Sequence, residues 1–188
     1  GVDYPNPEVT KKCGELAKAW GYPCIQRGKV MSVFPGPRSS VGYYGGVLGK
    51  PCLATEIGGA GFDETIEEKW LQANTVGVEN IMKHLKMLKG DLKLPKRYLV
   101  WEKRWRINPS IAGILTPKIP ADSLMKEVKK GELLGTVVSP YSFETLEELR
   151  SPGDGILFFS ARSYPVRPGD WAFGVVDTSD ANTKWESA

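Results

Sequence analysis

The sequence predicts an α/β chain in two parts: a first part of helices and short strands, and a second made of short strands only. Apolar residues recur at helical spacing over 7–20 and again in the next long segment. Short apolar runs bounded by Gly, Pro and Asp then dominate 107–177. Because the composition shifts near residue 95, we expect domains at 1–95 and 96–177, followed by a polar, loosely held tail at 178–188.

Composition and charge narrow the function classes. The chain has 188 residues, of which 41% are hydrophobic, so it can bury a core. Lys and Arg number 25 and Asp and Glu 22, and the resulting net charge of +3 does not call for nucleic acid. No apolar run approaches the roughly 20 residues of a membrane span. We therefore expect neither a nucleic-acid partner nor a membrane partner.

Histidine and cysteine are scarce. His84 is the single histidine, and Cys13, Cys24 and Cys52 are far apart in the sequence. A zinc site of the usual His and Cys type cannot readily be built from this chain alone, so we expect no metal ligands in it. The odd, sparse cysteine count is typical of a reducing compartment and predicts a cytoplasmic protein without a disulfide framework.

The first part opens with a helix and a glycine-rich loop. Asn6 is a natural N-cap and Gly21 a natural stop, which predicts a helix over 7–20 and then a short strand over 22–25. Residues 28–49 hold six glycines and two prolines and are predicted to form a loop. Arg38, Ser39, Ser40, Tyr43 and Tyr44 lie in this loop, where function can reside if a rigid scaffold holds it.

A single carboxylate ends the next apolar segment. Residues 52–57 read as a short buried strand with Glu56 near its carboxyl end, and Gly58 and Gly59 follow. Ligands bind beyond the carboxyl ends of strands in α/β sheets, and glycines allow close approach. Glu56 is therefore a candidate site residue. A structural carboxylate bonded to loop amides is an equal alternative.

The next segment is helical, and the rest of the chain reads as strands. Asp63 caps a helix that Gly77 divides into two pieces and Gly90 ends, with His84 at its surface. The aromatic side chains of the basic stretch 96–106 could stack on nucleic-acid bases. The alternation of polar and apolar residues in it favours instead a strand with one solvated face. Four further strands, at 113–115, 133–138, 155–159 and 171–176, predict a small β-barrel or sandwich.

Several of these pieces match one family in the same order. The run P-C-L-A-T-E-I-G-G-A-G at 51–61 resembles the glutamate motif of the succinylglutamate desuccinylase/aspartoacylase family. Residues 77–88 resemble that family's following helix. The stretches 112–115, 128–135, 151–156 and 168–170 resemble its C-terminal β domain, and the whole resemblance runs over about 7–177.

The resemblance implies the C-terminal part of a zinc carboxypeptidase-like mixed-sheet domain followed by a barrel or sandwich domain. Family members hydrolyse the amide bond of a small N-acyl amino acid or related compound. The resemblance implies that Zn²⁺ activates a water molecule and that Glu56 takes its proton and passes one to the leaving amine. Substrate would contact Arg38, Ser39, Tyr43, Tyr44, Gly58 and Gly59.

The family's zinc ligands form an H-x-x-E motif and a later histidine upstream of the matched region, and this chain lacks both. Gly1 in place of methionine fits a processed precursor, a chain that pairs with a second polypeptide, or a non-catalytic remnant. We expect a split or processed deacylase, because half a sheet exposes unpaired edges and apolar surface that a tight partner must cover. A higher oligomer of the pair is expected.

Two other function classes fit the sequence less well. The β-domain pattern is shared with biotinyl and lipoyl carriers, but those need a modifiable lysine at a hairpin tip, and no lysine lies between Lys130 and Lys184. A nucleic-acid-binding protein using 96–106 would show steeply salt-dependent binding, which the small net charge argues against.

Overall fold

The structure is a computed structural model that describes residues 2–29, 41–58, 64–120, 122–162 and 164–188. The chain divides into two compact units. The first unit comprises Gly1–Ile57, Glu68–Glu102 and Lys184–Ala188, and the second comprises Gly58–Glu67 and Lys103–Thr183. No helix within the described ranges combines the length and apolar character that crossing a membrane requires.

Two α-helices, one π-helical turn and thirteen strands make up the described chain. The helices are α1 (Pro7–Trp20) and α2 (Glu64–His84), and the π-helical turn spans Gly42–Val47. The strands are β1 (Val2–Asp3), β2 (Cys24–Gln26), β3 (Gly28–Lys29), β4 (Arg97–Trp101), β5 (Arg104–Ile107), β6 (Gly113–Pro117), β7 (Glu127–Val128), β8 (Leu133–Val138), β9 (Thr145–Arg150), β10 (Gly155–Ser160), β11 (Tyr164–Val166), β12 (Phe173–Asp177) and β13 (Lys184–Ser187).

The first helix, α1, begins and ends where the sequence predicts. The side chain of Asn6 accepts a hydrogen bond from the Glu8 N–H (3.0 Å), which satisfies one free donor at the start of α1. Gly21 adopts a left-handed conformation with φ 85° and donates to the Lys18 carbonyl. The predicted strand over 22–25 is observed as β2 at nearly the same place.

A three-stranded sheet forms beside α1, in the order β13-β4-β2. β2 runs parallel to β4, and β13 runs antiparallel to it. Both faces of β4 are covered, since Tyr98, Leu99, Val100 and Trp101 are each no more than 3% exposed. The prediction that 96–106 forms strands is confirmed by β4 and β5. The solvated face predicted for this stretch is wrong for β4, because its aromatic rings lie in the protein interior.

The prediction of a loosely held tail over 178–188 is wrong, because residues 184–187 are the edge strand β13. The guanidinium of Arg97 lies 4.1 Å from the ring centroid of Trp185, and the carboxylate of Glu186 pairs with Lys18 at 2.9 Å. Residues 184–187 are polar because one side of an edge strand remains solvated. Their composition therefore does not reveal that they pair with β4.

The prediction of a strand over 52–57 is also wrong for this chain. Residues 50–58 have no regular secondary structure, and no strand among the described residues pairs with them. A strand forms only where a neighbour can take up its backbone hydrogen bonds. The apolar character of residues 52–57 is therefore not enough to make them a strand.

The second helix is continuous where two pieces are predicted. Gly77 lies inside α2 and is buried, and a Cβ atom at this position would collide with the indole ring of Trp20. Glycine is thus required at this position because the Trp20 ring lies directly against α2, and not because the chain reverses there. The helix ends at His84 and turns follow, so Gly90 lies beyond the end of the helix.

Buried Asn80 links α2 to two neighbouring segments. Its side chain is fully buried, donates to the Lys93 carbonyl (2.9 Å) and accepts from the Lys93 N–H (2.9 Å). Its amide nitrogen also lies 3.5 Å from the carbonyl oxygen of Trp20. These bonds join α2 to the end of α1 and to the segment that leads into β4.

The second unit is a β-sandwich, as one of the two sequence alternatives predicts. Its two four-stranded sheets have the orders β5-β12-β10-β7 and β11-β6-β8-β9. Both sheets contribute side chains to one core: Ile107, Leu157, Phe173 and Val175 from the first, and Leu115, Leu134, Val137 and Leu149 from the second. All four predicted strands of this unit are observed as β6, β8, β10 and β12.

The glycine contact between the two helices yields a stability prediction. Gly77→Ala should lower the free energy of unfolding by about 1–3 kcal/mol, because the added methyl group meets the Trp20 ring. Gly14→Ala is the matched control in α1, since nothing lies within 4 Å of its Cβ position, and it should stabilise by roughly 0.5–1 kcal/mol. Urea unfolding of both variants measures the difference, and equal effects of the two substitutions would contradict the proposed contact.

The carboxylate of β13 yields a pH prediction. Hydrogen bonds from Lys18 and Lys184 hold the pKa of Glu186 below its usual value. The carboxylate therefore stabilises the fold at neutral pH, and this contribution is lost as the pH falls from the unfolded pKa of about 4.3 through the lower folded one. Glu186→Gln should cost no more than about 1 kcal/mol at pH 7, as the pair is partly exposed, and progressively less as the pH falls below the unfolded pKa. Thermal unfolding of both proteins across this range measures the difference, and a constant difference would contradict the ion pair.

Candidate active site

The segment that ends in Glu56 is open to solvent. Pro51, Ala54, Thr55 and Glu56 are exposed, whereas Leu53 and Ile57 are half-buried. Within the described part of the chain, the Glu56 carboxylate makes no hydrogen bond and no ion pair. Its exposed position suits a group that accepts a proton or contacts a ligand. The following loop amides lie outside the described residues, so the alternative of a structural carboxylate bonded to loop amides stays a prediction.

Gly58 lies two residues after Glu56 and needs to be glycine. Its φ is 102°, a conformation that residues with a side chain rarely adopt. The glycine noted in the sequence is therefore required by the backbone at this position.

Cys52 anchors the start of the same segment. Its N–H donates to the sulfur of Cys13 in α1 (3.3 Å), and its own sulfur lies 3.0 Å from the Tyr4 hydroxyl. The Tyr4 hydroxyl donates in turn to the Val41 carbonyl (2.9 Å). Tyr4, Val9 and Cys13 are buried, with Val41 and Cys52 packed against them. The chain four residues before Glu56 is thereby held against α1.

Burial keeps these groups protonated. It is the main cause that raises the pKa of the Tyr4 hydroxyl, with the hydrogen bond to Cys52 as a second cause. It likewise raises the pKa of the Cys13 thiol. The pKa of Cys24 is raised to about 11 by burial, against the lowering effect of the Trp101 N–H. Nucleophilic cysteines need a lowered pKa, so Cys13 and Cys24 act as packing groups.

The π-helical turn packs against Tyr4, which also contacts Cys52. A Cβ atom on Gly45 would collide with the Tyr4 ring, so this glycine permits the contact. Tyr43 and Tyr44 project from the turn, 47% and 52% exposed, with their rings edge to face at 5.8 Å. π-Helical turns are frequent at functional sites. The turn therefore presents two tyrosines from the element that is fixed beside Cys52.

The structure describes four of the seven predicted site residues. Arg38, Ser39 and Gly59 lie outside the described residues, whereas Glu56, Gly58, Tyr43 and Tyr44 lie within them. No hydrogen bond joins Tyr43 or Tyr44 to Glu56 within the described ranges. Their roles in binding substrate remain predictions.

Tyr4 and Cys13 are positioning residues that the sequence does not reveal. Cys13 lies on the apolar stripe of α1, which predicts burial but not contact with Cys52. Tyr4 reaches residues 37 and 48 positions away in the sequence. No local pattern signals such contacts, because only the folded backbone brings these residues together.

An open groove of about 620 Å³ lies on the β-sandwich unit, lined by Phe159, Tyr164, Pro165, Val166, Arg167, Asp170 and Trp171. The indole of Trp171 stacks on Phe159 with centroids 4.4 Å apart, and the Arg106 guanidinium lies 4.8 Å from the Trp171 ring centroid. The Trp171 faces are thus already engaged within the protein. None of the predicted site residues lines this groove.

The described residues do not fit a zinc site. Across the described ranges, no group of three or more His, Cys, Asp or Glu side chains is placed to hold a metal ion. A structural or catalytic zinc needs at least three such ligands. The described residues by themselves therefore do not provide a complete site for the zinc that the family resemblance implies.

The described chain joins an α/β unit, in which exposed Glu56 lies two residues before Gly58, to a β-sandwich. None of the family models searched matches the sequence, and neither does any curated protein. The comparison with solved structures, in contrast, finds clear matches.

Three solved structures share this fold. The ectoine utilization protein EutE (DoeB) from Ruegeria pomeroyi matches with a TM-score of 0.72 and 20% identity, over 94% of this chain and 52% of its own. A succinylglutamate desuccinylase from Silicibacter sp. TM1040 matches with a TM-score of 0.71 and 19% identity, over 94% and 53%. A succinylglutamate desuccinylase/aspartoacylase from Rhodobacter sphaeroides matches with a TM-score of 0.70 and 21% identity, over 94% and 52%.

These matches confirm the family resemblance at the level of the fold. The chain has the fold of part of a succinylglutamate desuccinylase/aspartoacylase protein and spans about half the length of the solved structures it matches. The predicted mixed α/β fold is thus confirmed as well.

The contact between Gly45 of the π-helical turn and the Tyr4 ring yields a stability prediction with a control in the same turn. Gly45→Ala should lower the free energy of unfolding by about 1–3 kcal/mol, because the methyl group must displace the Tyr4 ring. Gly46→Ala, one residue on in the same turn, has Tyr4 Cδ1 at 3.9 Å as its nearest neighbour and should change stability far less. Urea unfolding measures both, and an equal loss in the two variants would show that Tyr4 does not pack on this turn.

Proposed function

We propose that this chain supplies the general acid–base glutamate of a split amide hydrolase. The substrate is a small N-acyl amino acid or related amide, and the reaction is deacylation. The observation that carries the proposal is the Glu56 carboxylate, which is exposed and makes no bond within the described residues. The shared fold with desuccinylase and aspartoacylase structures supports it.

Glu56 suits proton transfer for physical reasons. A carboxylate that has no cation partner keeps its lone pairs available for the proton of an attacking water molecule. The same group, once protonated, donates to the nitrogen of the leaving amine. The bond from the Cys52 N–H to Cys13 holds the chain four residues before Glu56, which limits how far the carboxylate can move and favours such a transfer.

The metal ligands come from a second polypeptide in this proposal. Its basis is that the described residues lack a metal-binding group and cover half of the fold. The partner binds tightly, because half of a mixed sheet exposes unpaired edges. We propose a cytoplasmic complex of the two chains, further assembled into a higher oligomer. Arg38 and Ser39 of the loop, with Tyr43 and Tyr44, would contact the substrate.

A non-catalytic binding or regulatory remnant of the same family is the second candidate. The observation that favours it is the same lack of a metal-binding group in the described ranges. The two candidates differ in one respect, since only the hydrolase predicts turnover that depends on Glu56.

The test is a substitution at Glu56 in the complex purified with its metal from the cells that make it. Glu56→Gln removes the proton acceptor at nearly constant size and should lower kcat for N-acetyl and N-succinyl amino acids by about 100-fold or more. Glu15→Gln removes an exposed carboxylate of α1 and should leave kcat unchanged. Native mass spectrometry and metal analysis confirm that each complex stays intact.

The outcomes separate the candidates. Loss of turnover in Glu56→Gln with an unchanged metal content supports the hydrolase. Undiminished turnover in this variant excludes Glu56 as the acid–base group. A complex that binds amides but never hydrolyses them, in the unsubstituted protein, supports the remnant.

A further inference from the structure

Two thiols that are far apart in the sequence lie side by side in the first unit. The N–H of Cys52 donates to the sulfur of Cys13 (3.3 Å), across 39 positions of the chain, and both cysteines are free thiols. A disulfide needs two Cα atoms no more than about 7 Å apart. Contact between the sulfur of one cysteine and the backbone nitrogen of the other is in keeping with that spacing. Cys13 and Cys52 are therefore placed for a bond between their sulfurs.

The two cysteines differ in their access to solvent. Cys13 is only 1% exposed, whereas Cys52 is half-buried and follows exposed Pro51. A small oxidant dissolved in water can therefore reach the sulfur of Cys52 more easily than that of Cys13. Cys13 in turn contacts Cys52 from the interior, where Tyr4 and Val9 are buried with it. This arrangement gives the two thiols different parts in an oxidation, one meeting the oxidant and the other meeting its neighbour.

Tyr4 places a hydrogen-bond donor beside the more accessible sulfur. Its hydroxyl oxygen lies 3.0 Å from the Cys52 sulfur and 2.9 Å from the Val41 carbonyl oxygen. Burial raises the pKa of this hydroxyl above its ordinary value, so the hydroxyl keeps its proton when a neighbouring thiol ionises. The thiolate is the form of cysteine that attacks an oxidant, and a donor in contact with it favours that form. The hydroxyl can turn from the Val41 carbonyl to the sulfur when Cys52 loses its proton.

We propose that Cys52 and Cys13 form a redox site whose oxidising substrate is a hydroperoxide. The Cys52 thiolate attacks one oxygen of the peroxide and the O–O bond breaks, which leaves a sulfenic acid on Cys52. The departing oxygen takes up the proton that Cys52 released and becomes water or an alcohol. The Cys13 sulfur then attacks the Cys52 sulfur, an S–S bond forms, and the sulfenic hydroxyl leaves as water with the Cys13 thiol proton. The two thiols together lose two electrons, and the peroxide gains two.

Cys13 suits the second step because it already contacts Cys52. In the reduced chain Cys13 is a packing group, and burial raises the pKa of its thiol, which protects it from reacting with a peroxide directly. Its attack on Cys52 is intramolecular, and reactions between groups held together proceed at a high effective concentration even when little thiolate is present. Cys24, in contrast, lies against the indole nitrogen of Trp101 (3.2 Å).

The bridge changes how the segment that leads to Glu56 is held. It joins this segment to α1 by a covalent bond and closes a loop that contains the π-helical turn with Tyr43 and Tyr44. Such a cross-link restricts the unfolded chain, so the oxidised protein should resist unfolding more than the reduced protein. A dithiol reductant restores the two thiols by exchange. The site does not depend on the role proposed for Glu56.

The experiment uses the full chain, purified with any partner that accompanies it, then reduced and freed of reductant. The protein is treated with an equimolar amount of hydrogen peroxide, its remaining thiols are alkylated, and it is digested without reductant for mass spectrometry. We expect a cross-linked pair of peptides that carries Cys13 and Cys52 and that dithiothreitol separates. The midpoint of thermal unfolding of the oxidised protein should lie above that of the reduced protein by about 5 °C or more.

Four variants assign the steps to their residues. Cys13→Ala should accumulate a sulfenic acid on Cys52, which dimedone traps, and Cys52→Ala should leave Cys13 to react at least about tenfold more slowly than the pair. Tyr4→Phe removes the donor hydroxyl and should slow the oxidation of Cys52 by about tenfold. Cys24→Ser is the matched control and should form the same bridge at an unchanged rate. Thermal unfolding of each reduced variant checks that it is folded.

Several results would overturn the inference. These are a bridge that includes Cys24, bridges that form only between molecules, and recovery of both Cys13 and Cys52 as alkylated thiols after peroxide treatment. Equal amounts of trapped sulfenic acid in the unsubstituted protein and in Cys13→Ala would show that Cys13 does not attack Cys52, and would overturn it as well. Equal oxidation rates for Tyr4→Phe and the unsubstituted protein would exclude the part assigned to the hydroxyl.

Discussion

Backbone hydrogen bonding is the constraint on which the first unit depends. The apolar segments 53–57 and β4 differ in their pairing. β4 is paired by β2 on one edge and by β13 on the other, and both of its faces are buried. Residues 53–57 follow the bonded Cys52 and pack Leu53 on the core, but no strand among the described residues pairs with them. The candidate catalytic carboxylate lies in this second segment.

Close contacts at glycine hold the rest of this unit together. Gly77 lets the indole of Trp20 lie against α2, and Gly45 lets the ring of Tyr4 lie against the π-helical turn. In both places an aromatic side chain fills the space that a Cβ atom would occupy. Asn80 adds a fully buried amide that is bonded to the backbone of Lys93, which costs little because its polar atoms find partners. These contacts position the helices against which the site is built.

The β-sandwich unit has one core that both of its sheets share. Local bonds such as that from the Lys130 N–H to the Asp154 carboxylate (2.8 Å) hold the segments between its strands. Exposed aromatic side chains occur in both units, since Tyr43 and Tyr44 are about half exposed in the first and Tyr141 and Phe143 are more exposed in the second. Exposure of aromatic side chains therefore does not distinguish the two units.

The sequence by itself determined the elements that local chemistry specifies. The cap at Asn6, the stop at Gly21 and the apolar alternation of the sandwich strands act within a few residues, so their patterns predict α1 and the β strands correctly. Glu56 and the glycines after it are likewise visible as a motif. Only the tertiary structure decided which segments pair. Residues 184–187 form a strand despite their polar composition, α2 runs through Gly77 without a break, and no strand of the described chain pairs with 53–57. Pairing and close approach depend on residues far apart in the chain, and no local pattern records them.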